Sequence, residues 1–340
     1  MNIKINNLIS GITDDKEKIK ILYYYLQDYT RYVNVSINLG GLQTYPASYV
    51  IKNGYGDCKA LTNYMQSMLS HIGIKSFYTL INAGDRVVDI DNRFPAQVFN
   101  HVILTVPLEQ DTLFVECTSK NAPIGYMGTF TQGREALLIN RDSSYIISVP
   151  QLNKDDVLCV RNLIVEIDSS NISINSDIRG PQYEKLLSYL FQTDKKEVER
   201  YLINNVLQIS SELIDYTFDH TRDESFIKVK ANCKLSNFYK KYGKNVIINP
   251  FTVDIPPYES PDIRTSGIEF DYPQYYKDTV TYYWKDKDLA KIPENVTIQS
   301  KYGEYNLGFY KEKNTLKVYK SLLINVGRYS LSEYSDFYSF

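Results

Sequence analysis

A single cysteine stands where a glycine-containing turn runs into a helical pattern. Cys58 lies within residues 53–61, NGYGDCKAL, and apolar side chains then recur at helical spacing up to the glycine at position 73: Leu61, Tyr64, Met65, Met68, Leu69 and Ile72. Cys58 therefore lies in or just before the first helical turn. There, unpaired backbone N–H groups and the positive end of the helix dipole favour the thiolate, which is the reactive form of cysteine.

A thiolate nucleophile needs a base, and the chain has three histidines. His71 ends the helix that begins near Cys58, and His220 lies far downstream. His101 instead lies in the extended segment 99–106, FNHVILTV. We therefore predict that His101 is the base.

A strand that returns after His101 offers an acid to orient the imidazole. Residues 107–111, PLEQD, indicate a turn, and residues 112–117, TLFVEC, indicate the returning strand. If Thr105 pairs with Thr112, His101 lies opposite Glu116, with Cβ atoms about 4.5–5.5 Å apart on the same face. Glu116 would then fix the tautomer of His101, whereas Cys117 would point to the other face.

The residues beside Cys58 have expected roles as well. Acyl transfer through a thioester develops an oxyanion, for which the backbone N–H of Cys58 is one donor and the side-chain amide of Gln43 is our prediction for the second. A surface polar residue is an equally good interpretation of Gln43. We expect Asp57 to cap the helix and shape the turn, and Lys59 to be solvated.

Four short motifs resemble the transglutaminase-like superfamily: residues 40–48 GGLQTYPAS, 56–60 GDCKA, 99–103 FNHVI and 116–119 ECTS. They are similar to the bacterial envelope branch, in which a transglutaminase core lies between β-rich DUF3857 and DUF3858 domains. The resemblance covers about residues 12–140 and implies a papain-like triad of Cys58, His101 and Glu116, with Gln43 and Asp57 positioning substrate. It further implies a protein or peptide substrate, no cofactor and a periplasmic or cell-envelope location.

Two departures from that family are visible. The acid is more usually aspartate, so Glu116 must accommodate one extra methylene. The N-terminal β-domain and a signal peptide are also missing before the first core helix, so we expect the chain to be a fragment of a longer exported protein.

Composition excludes several other classes. The formal net charge is −2, and basic residues are interleaved with acidic ones, which gives no footprint for nucleic acid. The sequence has no run of about 20 apolar residues, so we predict no transmembrane segment. The four cysteines form no C-x-x-C pair, so we predict no metal site, although a site of Cys58, His101 and Cys117 is the conceivable exception.

The order of patterns predicts an α+β fold with a papain-like core of helices packed on an antiparallel sheet. We predict a cysteine-nucleophile domain over residues 1–150 and a DUF3858-like, sandwich-like β domain over 157–340, with helices near 181–206. Within the first domain we predict a helix capped by Thr13, a helix over 47–52, and strands at 74–83, 99–106, 112–117 and, as an edge, 135–140. Prolines at 250, 256, 257 and 261 predict a loop.

Three classes of function stay open on the sequence alone. The first is a cysteine hydrolase or a transglutaminase, between which the triad does not decide because both use the thioester. The second is a binding protein on the same scaffold with a silent triad, in which the Tyr-rich C-terminal domain recognises a peptide or glycan; the whole chain has 31 tyrosines. The third is an assembly module of the cell envelope. An intact Cys, His and acid set favours the first.

Overall fold

The computed structural model describes residues 2–34, 41, 43–91, 93–94, 96–208, 211–235, 239–242, 245–248, 258–285 and 291–340. The chain divides into two compact units. The first comprises Met1–Gln151 with Arg222–Ser225, and the second comprises Leu152–Thr221 with Phe226–Phe340. The candidate site residues lie in the first unit.

The first unit has five described helices, and the first four pack as one layer around a shared hydrophobic core. In chain order they are α1 (Asn2–Leu8), α2 (Asp15–Tyr29), α3 (Ala47–Asn53), α4 (Cys58–His71) and the short α5 (Gly128–Thr131). The apolar stripe of α4 is buried as its spacing predicts, and it packs with residues of α1 and α2 in one core. Helix α1 was not predicted, yet its Ile5 is 1% exposed.

A five-stranded antiparallel sheet supports that layer. Its strands are β3 (Phe77–Ile81), β4 (His101–Pro107), β5 (Thr112–Val115), β6 (Glu135–Leu138) and β7 (Tyr145–Ser148), in the order β5-β4-β3-β6-β7. On β4, Leu104 and Val106 belong to the core shared with the helices, whereas Ile103 belongs to a second cluster on the opposite face. Burial on both faces explains the nearly continuous apolar run of β4.

Three details of the first unit differ from expectation. Asp14 rather than Thr13 caps α2, because its carboxylate accepts a hydrogen bond from the backbone N–H of Glu17 at 2.7 Å. Strand β6 is not the edge, since β7 pairs with its outer side. A two-residue parallel pair, β1 (Arg31–Tyr32) with β2 (Tyr55–Gly56), was also missed.

The second unit is built on an eight-stranded sheet. Its strands are β8 (Leu158–Glu166), β9 (Asn171–Arg179), β10 (Ser211–Asp219), β11 (Phe226–Leu235), β15 (Gln274–Tyr283), β16 (Val296–Ser300), β17 (Gly303–Glu312) and β18 (Thr315–Ile324), in the order β10-β11-β9-β8-β15-β18-β17-β16. A sandwich would divide these strands between two sheets, so the sandwich-like detail of our expectation was wrong. The β-rich character and the α+β class are confirmed.

Smaller elements complete this unit. The predicted helices are α6 (Gly180–Gln192) and α7 (Lys195–Tyr201), which continues into a π-helical turn, Leu202–Leu207. Two-stranded pairs join β12 (Tyr239–Tyr242) to β13 (Asn245–Ile248), and β14 (Ile268–Phe270) to β19 (Gly327–Tyr329). The chain ends in a 3-10 turn, Leu331–Glu333, and α8 (Tyr334–Ser339). The prolines at 250, 256 and 257 lie outside the described residues.

Many tyrosines of the second unit serve its core. Tyr183, Tyr282, Tyr302 and Tyr334 are at most 3% exposed. Tyr302 and Tyr334 pack with Phe337 and strand residues in one cluster beside α8. Structural use therefore explains these tyrosines. In the described part of the chain, every helix is too short or too polar to cross a membrane.

Candidate active site

The start of α4 fixes the backbone of Cys58. Asp57 caps the helix, and its Oδ1 accepts a hydrogen bond from the backbone N–H of Ala60 at 2.9 Å. Gly56 packs so closely that a Cβ there would lie 2.9 Å from the Cβ of Ala60. The backbone carbonyl of Gly56 also accepts from the N–H of Val33 at 2.9 Å. The turn before the cysteine is thereby held from both sides.

His101, the first residue of β4, interacts with both proposed partners. Its Nε2 lies 2.8 Å from Oε2 of Glu116, and the Cys58 side chain is near enough to raise the pKa of the imidazole. Cys58 and His101 are each 5% exposed, and Glu116 is 8% exposed. The three residues therefore form a chain of contacts from nucleophile to base to orienting acid.

Glu116 reaches His101 in a register other than the one we expected. Thr112 pairs with Pro107 rather than with Thr105, and β5 ends at Val115. The slip of two residues keeps the same face, because side chains alternate with a period of two. Glu116 therefore lies diagonally from His101, and a long side chain spans such a diagonal.

Two neighbours hold Glu116 in place. Its Oε1 accepts hydrogen bonds from the backbone N–H and the hydroxyl of Thr118, the former at 3.0 Å. The hydroxyl of Tyr23 donates to the backbone carbonyl of Glu116 at 3.1 Å. Thus one carboxylate oxygen binds the loop and the other binds the imidazole, which leaves Glu116 little freedom to turn.

The electrostatics of the site favour a charged imidazole. Burial by itself lowers the pKa of His101, but the negative charge of Glu116, followed by hydrogen bonds to Cys58 and Glu116, raises it to about 10. Burial by itself raises the pKa of Glu116, but the charge of His101 and hydrogen bonds from His101 and Thr118 lower it. His101 is therefore a cation and Glu116 an anion at neutral pH.

Lys59 corrects our expectation of a solvated side chain. Its Nζ lies 2.7 Å from Oδ2 of Asp57, and the two side chains are 2% and 1% exposed. The contact is an ion pair without the angles of a hydrogen bond, since Oδ2 has no well-aligned donor among the described residues. A second buried ion pair thus lies directly beside the nucleophile. Asp57 caps the helix, as its sequence position indicates.

The remaining predicted residues lie apart from this contact chain. Gln43 is exposed, and its proposed oxyanion role stays a prediction. Cys117 is 3% exposed and belongs to the apolar core between helices and sheet, so it does not join His101. No group of three or more His, Cys, Asp or Glu side chains suited to a metal ion occurs within the described residues.

Two further residues were missed, one beside His101 and one beside the segment that follows β3. The ring of Phe130 meets the imidazole edge-on at 5.5 Å between centroids, although Phe130 is 50% exposed. Arg134 is buried, and its guanidinium donates to the backbone carbonyls of Asn82, Gly84 and Arg86. It thereby ties together the backbone of residues 82–86. Neither residue carries a local sequence signal, because the groups that they contact are distant in sequence.

Helices packed on an antiparallel sheet, with cysteine at a helix start and histidine on a strand, define the transglutaminase-like class of fold. Comparison with family models agrees. Residues 4–104 match the Transglutaminase-like superfamily, and residues 244–340 match DUF3858, a domain of unknown function with solved structures. The resemblance to the transglutaminase-like superfamily is thus confirmed over residues 4–104. The DUF3858 match begins well after our predicted boundary at 157.

One solved structure has the same fold, a chain from Parabacteroides distasonis ATCC 8503 described as a "putative protease". The TM-score is 0.56 at 11% sequence identity, with 99% of the present chain covered. The present chain spans 51% of that chain, about half its length. No curated protein matches the sequence.

Proposed function

We propose that this protein catalyses cysteine-dependent acyl transfer on peptide or glutamine-type amides through a thioester. The contact of His101 with both Cys58 and Glu116 is the observation that carries the proposal. Cys58 comes from the start of α4, whereas His101 begins β4 and Glu116 follows β5, and all three are buried. The transglutaminase-like fold supports the same chemistry.

In the proposed mechanism, the Cys58 thiolate attacks the amide carbonyl carbon while His101 carries the proton. The tetrahedral oxyanion collapses, the C–N bond breaks, and His101 gives its proton to the leaving amine. The backbone N–H of Cys58, in the first helical turn, is one oxyanion donor, and Gln43 is proposed as the second. Glu116 stays ionised and stabilises the imidazolium.

The second half-reaction decides the product. Water or a primary amine loses a proton to His101 and attacks the thioester carbonyl, which expels the Cys58 thiolate. Water gives hydrolysis, and a lysine amine gives a cross-link. Glu116 holds His101 for both directions of proton transfer, so hydrolase and transglutaminase activities need the same three residues.

The test offers both acyl acceptors, water and a primary amine. Fluorogenic peptide amides report hydrolysis, and incorporation of a fluorescent primary amine into a glutamine-containing protein reports transfer. We expect at least one signal from the wild type and none from Cys58→Ala or His101→Ala. Activity that survives in folded Cys58→Ala would contradict the proposal.

A catalytically silent binding or assembly module is the second candidate. The low exposure of Cys58 and His101, 5% each, is the observation that favours it, since substrate must reach the sulfur. Iodoacetamide distinguishes the two. Selective alkylation of Cys58 at neutral pH supports an accessible nucleophile, whereas protection of Cys58 in the folded protein supports the silent module.

The cellular location and the class of substrate are also part of the proposal. Family resemblance favours a cell-envelope or periplasmic location and a protein or peptide substrate. A peptide or glycan contact by the C-terminal unit stays a prediction. Localisation of the natural full-length protein by fractionation would test the first of these.

A further inference from the structure

The buried ion pair of Asp57 and Lys59 has no part in the mechanism above, although it is adjacent in sequence to the nucleophile on both sides. Asp57 must present a carboxylate oxygen to the N–H of Ala60 to cap α4. The same carboxylate is 1% exposed, so water does not screen its charge. Without Lys59, Asp57 would be a second buried anion near Cys58, in addition to Glu116.

We propose that Lys59 is a positioning residue that keeps Cys58 reactive by neutralising and fixing Asp57. Lys59 acts through Asp57 and need not touch substrate. The inference rests on the proposed function only in taking Cys58 as the nucleophile. Its physical basis is that a like charge a few ångströms away disfavours ionisation, here of the thiol.

Charged and titratable groups face Cys58 from several elements. His101 from β4 contacts it directly, and Glu116 follows β5. Tyr32 from β1 lies opposite Gly56, and burial, followed by the charges of Cys58 and Asp57, raises its pKa to about 12. The pKa of Tyr78 on β3 is also raised, first by burial and then by the charges of Cys58 and Asp57. Both tyrosines are thus neutral at physiological pH, and Lys59 and His101 supply the positive charge.

The test measures the pH profile of Cys58 alkylation by iodoacetamide with mass mapping. We expect Lys59→Met to move the midpoint of that profile upward by about one pH unit or more, because Asp57 is left uncompensated. The double variant Asp57→Asn with Lys59→Met should return the midpoint close to the wild-type value, since both charges are gone and Asn also caps helices. A purely structural role would not produce this reversal.

Lys18→Met is the matched control, because Lys18 forms an exposed ion pair with Asp15 at 2.8 Å on α2. It should leave the profile unchanged. If Lys59→Met does not fold, Asp57→Asn carries the test. The charge of Lys59, no longer neutralised by Asp57, should move the midpoint downward, and adding Lys59→Met should reverse that shift.

Folded Lys59→Met with the wild-type profile would overturn the inference while leaving the proposed function intact. Equal shifts in the single and double variants would also overturn it. A wild-type Cys58 that is no more reactive than the other cysteines would instead overturn the proposed function, and this inference with it.

Discussion

Glu116 reaches His101 from a position two residues away from the expected register, and its side chain is one methylene longer than the usual aspartate. The two departures are compatible, because a diagonal contact needs the longer reach. Thr118 then fixes the second carboxylate oxygen. At this scale the geometry is that of a buried acid that orients the imidazole of His101.

We therefore expect Glu116→Gln to cost less activity than Cys58→Ala, by roughly one to two orders of magnitude, because an orienting group is less essential than a reacting one. The measurement is kcat/KM on whichever amide substrate the wild type accepts. Glu109→Gln, in the exposed turn between β4 and β5, is the matched control. Equal losses in Glu116→Gln and Cys58→Ala would assign Glu116 a direct chemical role.

His101 also links pH to stability. Its pKa is about 10 in the folded protein against about 6.5 when unfolded, so its contribution is fully present below pH 6.5 and is lost as pH rises through 10. We expect His101→Gln to reduce the fall in unfolding free energy between pH 6.5 and pH 10, measured by urea denaturation. His71→Gln, at the end of α4, is the control. An unchanged slope in His101→Gln would contradict the charged imidazole.

At the scale of elements, a row of buried polar residues crosses the middle of the eight-stranded sheet. Arg161 on β8 and Lys320 on β18 both lie opposite Asp278 on β15. Arg161 binds both carboxylate oxygens of Asp278, at 2.8 and 2.6 Å, whereas Lys320 is 3.6 Å away and its Nζ has no hydrogen bond to a described residue. Two buried cations thus share one anion.

We expect Lys320→Met to stabilise the protein at pH 7 by about 1–3 kcal/mol, because Asp278 keeps its pairing with Arg161. Burial lowers the pKa of Lys320 to about 8, against 10.5 in the unfolded chain. The folded state therefore binds fewer protons on Lys320 between these values, and the contribution of Lys320 to stability should rise with pH from 8 to 10.5.

Urea unfolding at pH 7 and pH 10 measures both effects. The gain from Lys320→Met should shrink at the higher pH. Lys317→Met, an exposed residue on the same strand, should show no such change. A destabilised Lys320→Met would show that the ammonium is a net stabilising partner of Asp278.

At the scale of the whole molecule, all the candidate site residues belong to the first unit. That unit also includes Arg222–Ser225, where Arg222 donates to Gln27 at 3.0 Å and pairs with Asp28 at 2.8 Å. Since the nucleophile–base–acid contacts need none of the residues after Gln151, we propose that the second unit positions substrate or partner.

A chain ending at residue 153 should therefore keep the fast alkylation of Cys58 while losing affinity for its protein or peptide substrate. We also expect a lower melting temperature, because the contacts of Arg222 are lost. Arg222→Ala in the full chain isolates that contribution. A folded 1–153 chain whose Cys58 reacts slowly would show that the second unit takes part in the site.

The sequence by itself determined the elements that carry the chemistry. Helical spacing placed Cys58 at the start of α4, and alternation placed His101 and Glu116 on one face of neighbouring strands. A slip of two residues along a strand leaves each side chain on the same face. The contact between His101 and Glu116 was therefore predicted correctly although the register was wrong. The same local patterns predicted the β-rich character of the second unit and its helices near 181–206.

Only the tertiary structure decided which side chains are buried. Lys59 resembles an ordinary solvated residue of a first helical turn, and its burial with Asp57 depends on packing that no local pattern records. Phe130 contacts the imidazole of His101, and Arg134 binds the backbone that follows β3, both from positions distant in sequence. The arrangement of strands in one sheet instead of two was likewise decided by pairing, since alternation specifies the faces of a strand but not its neighbours.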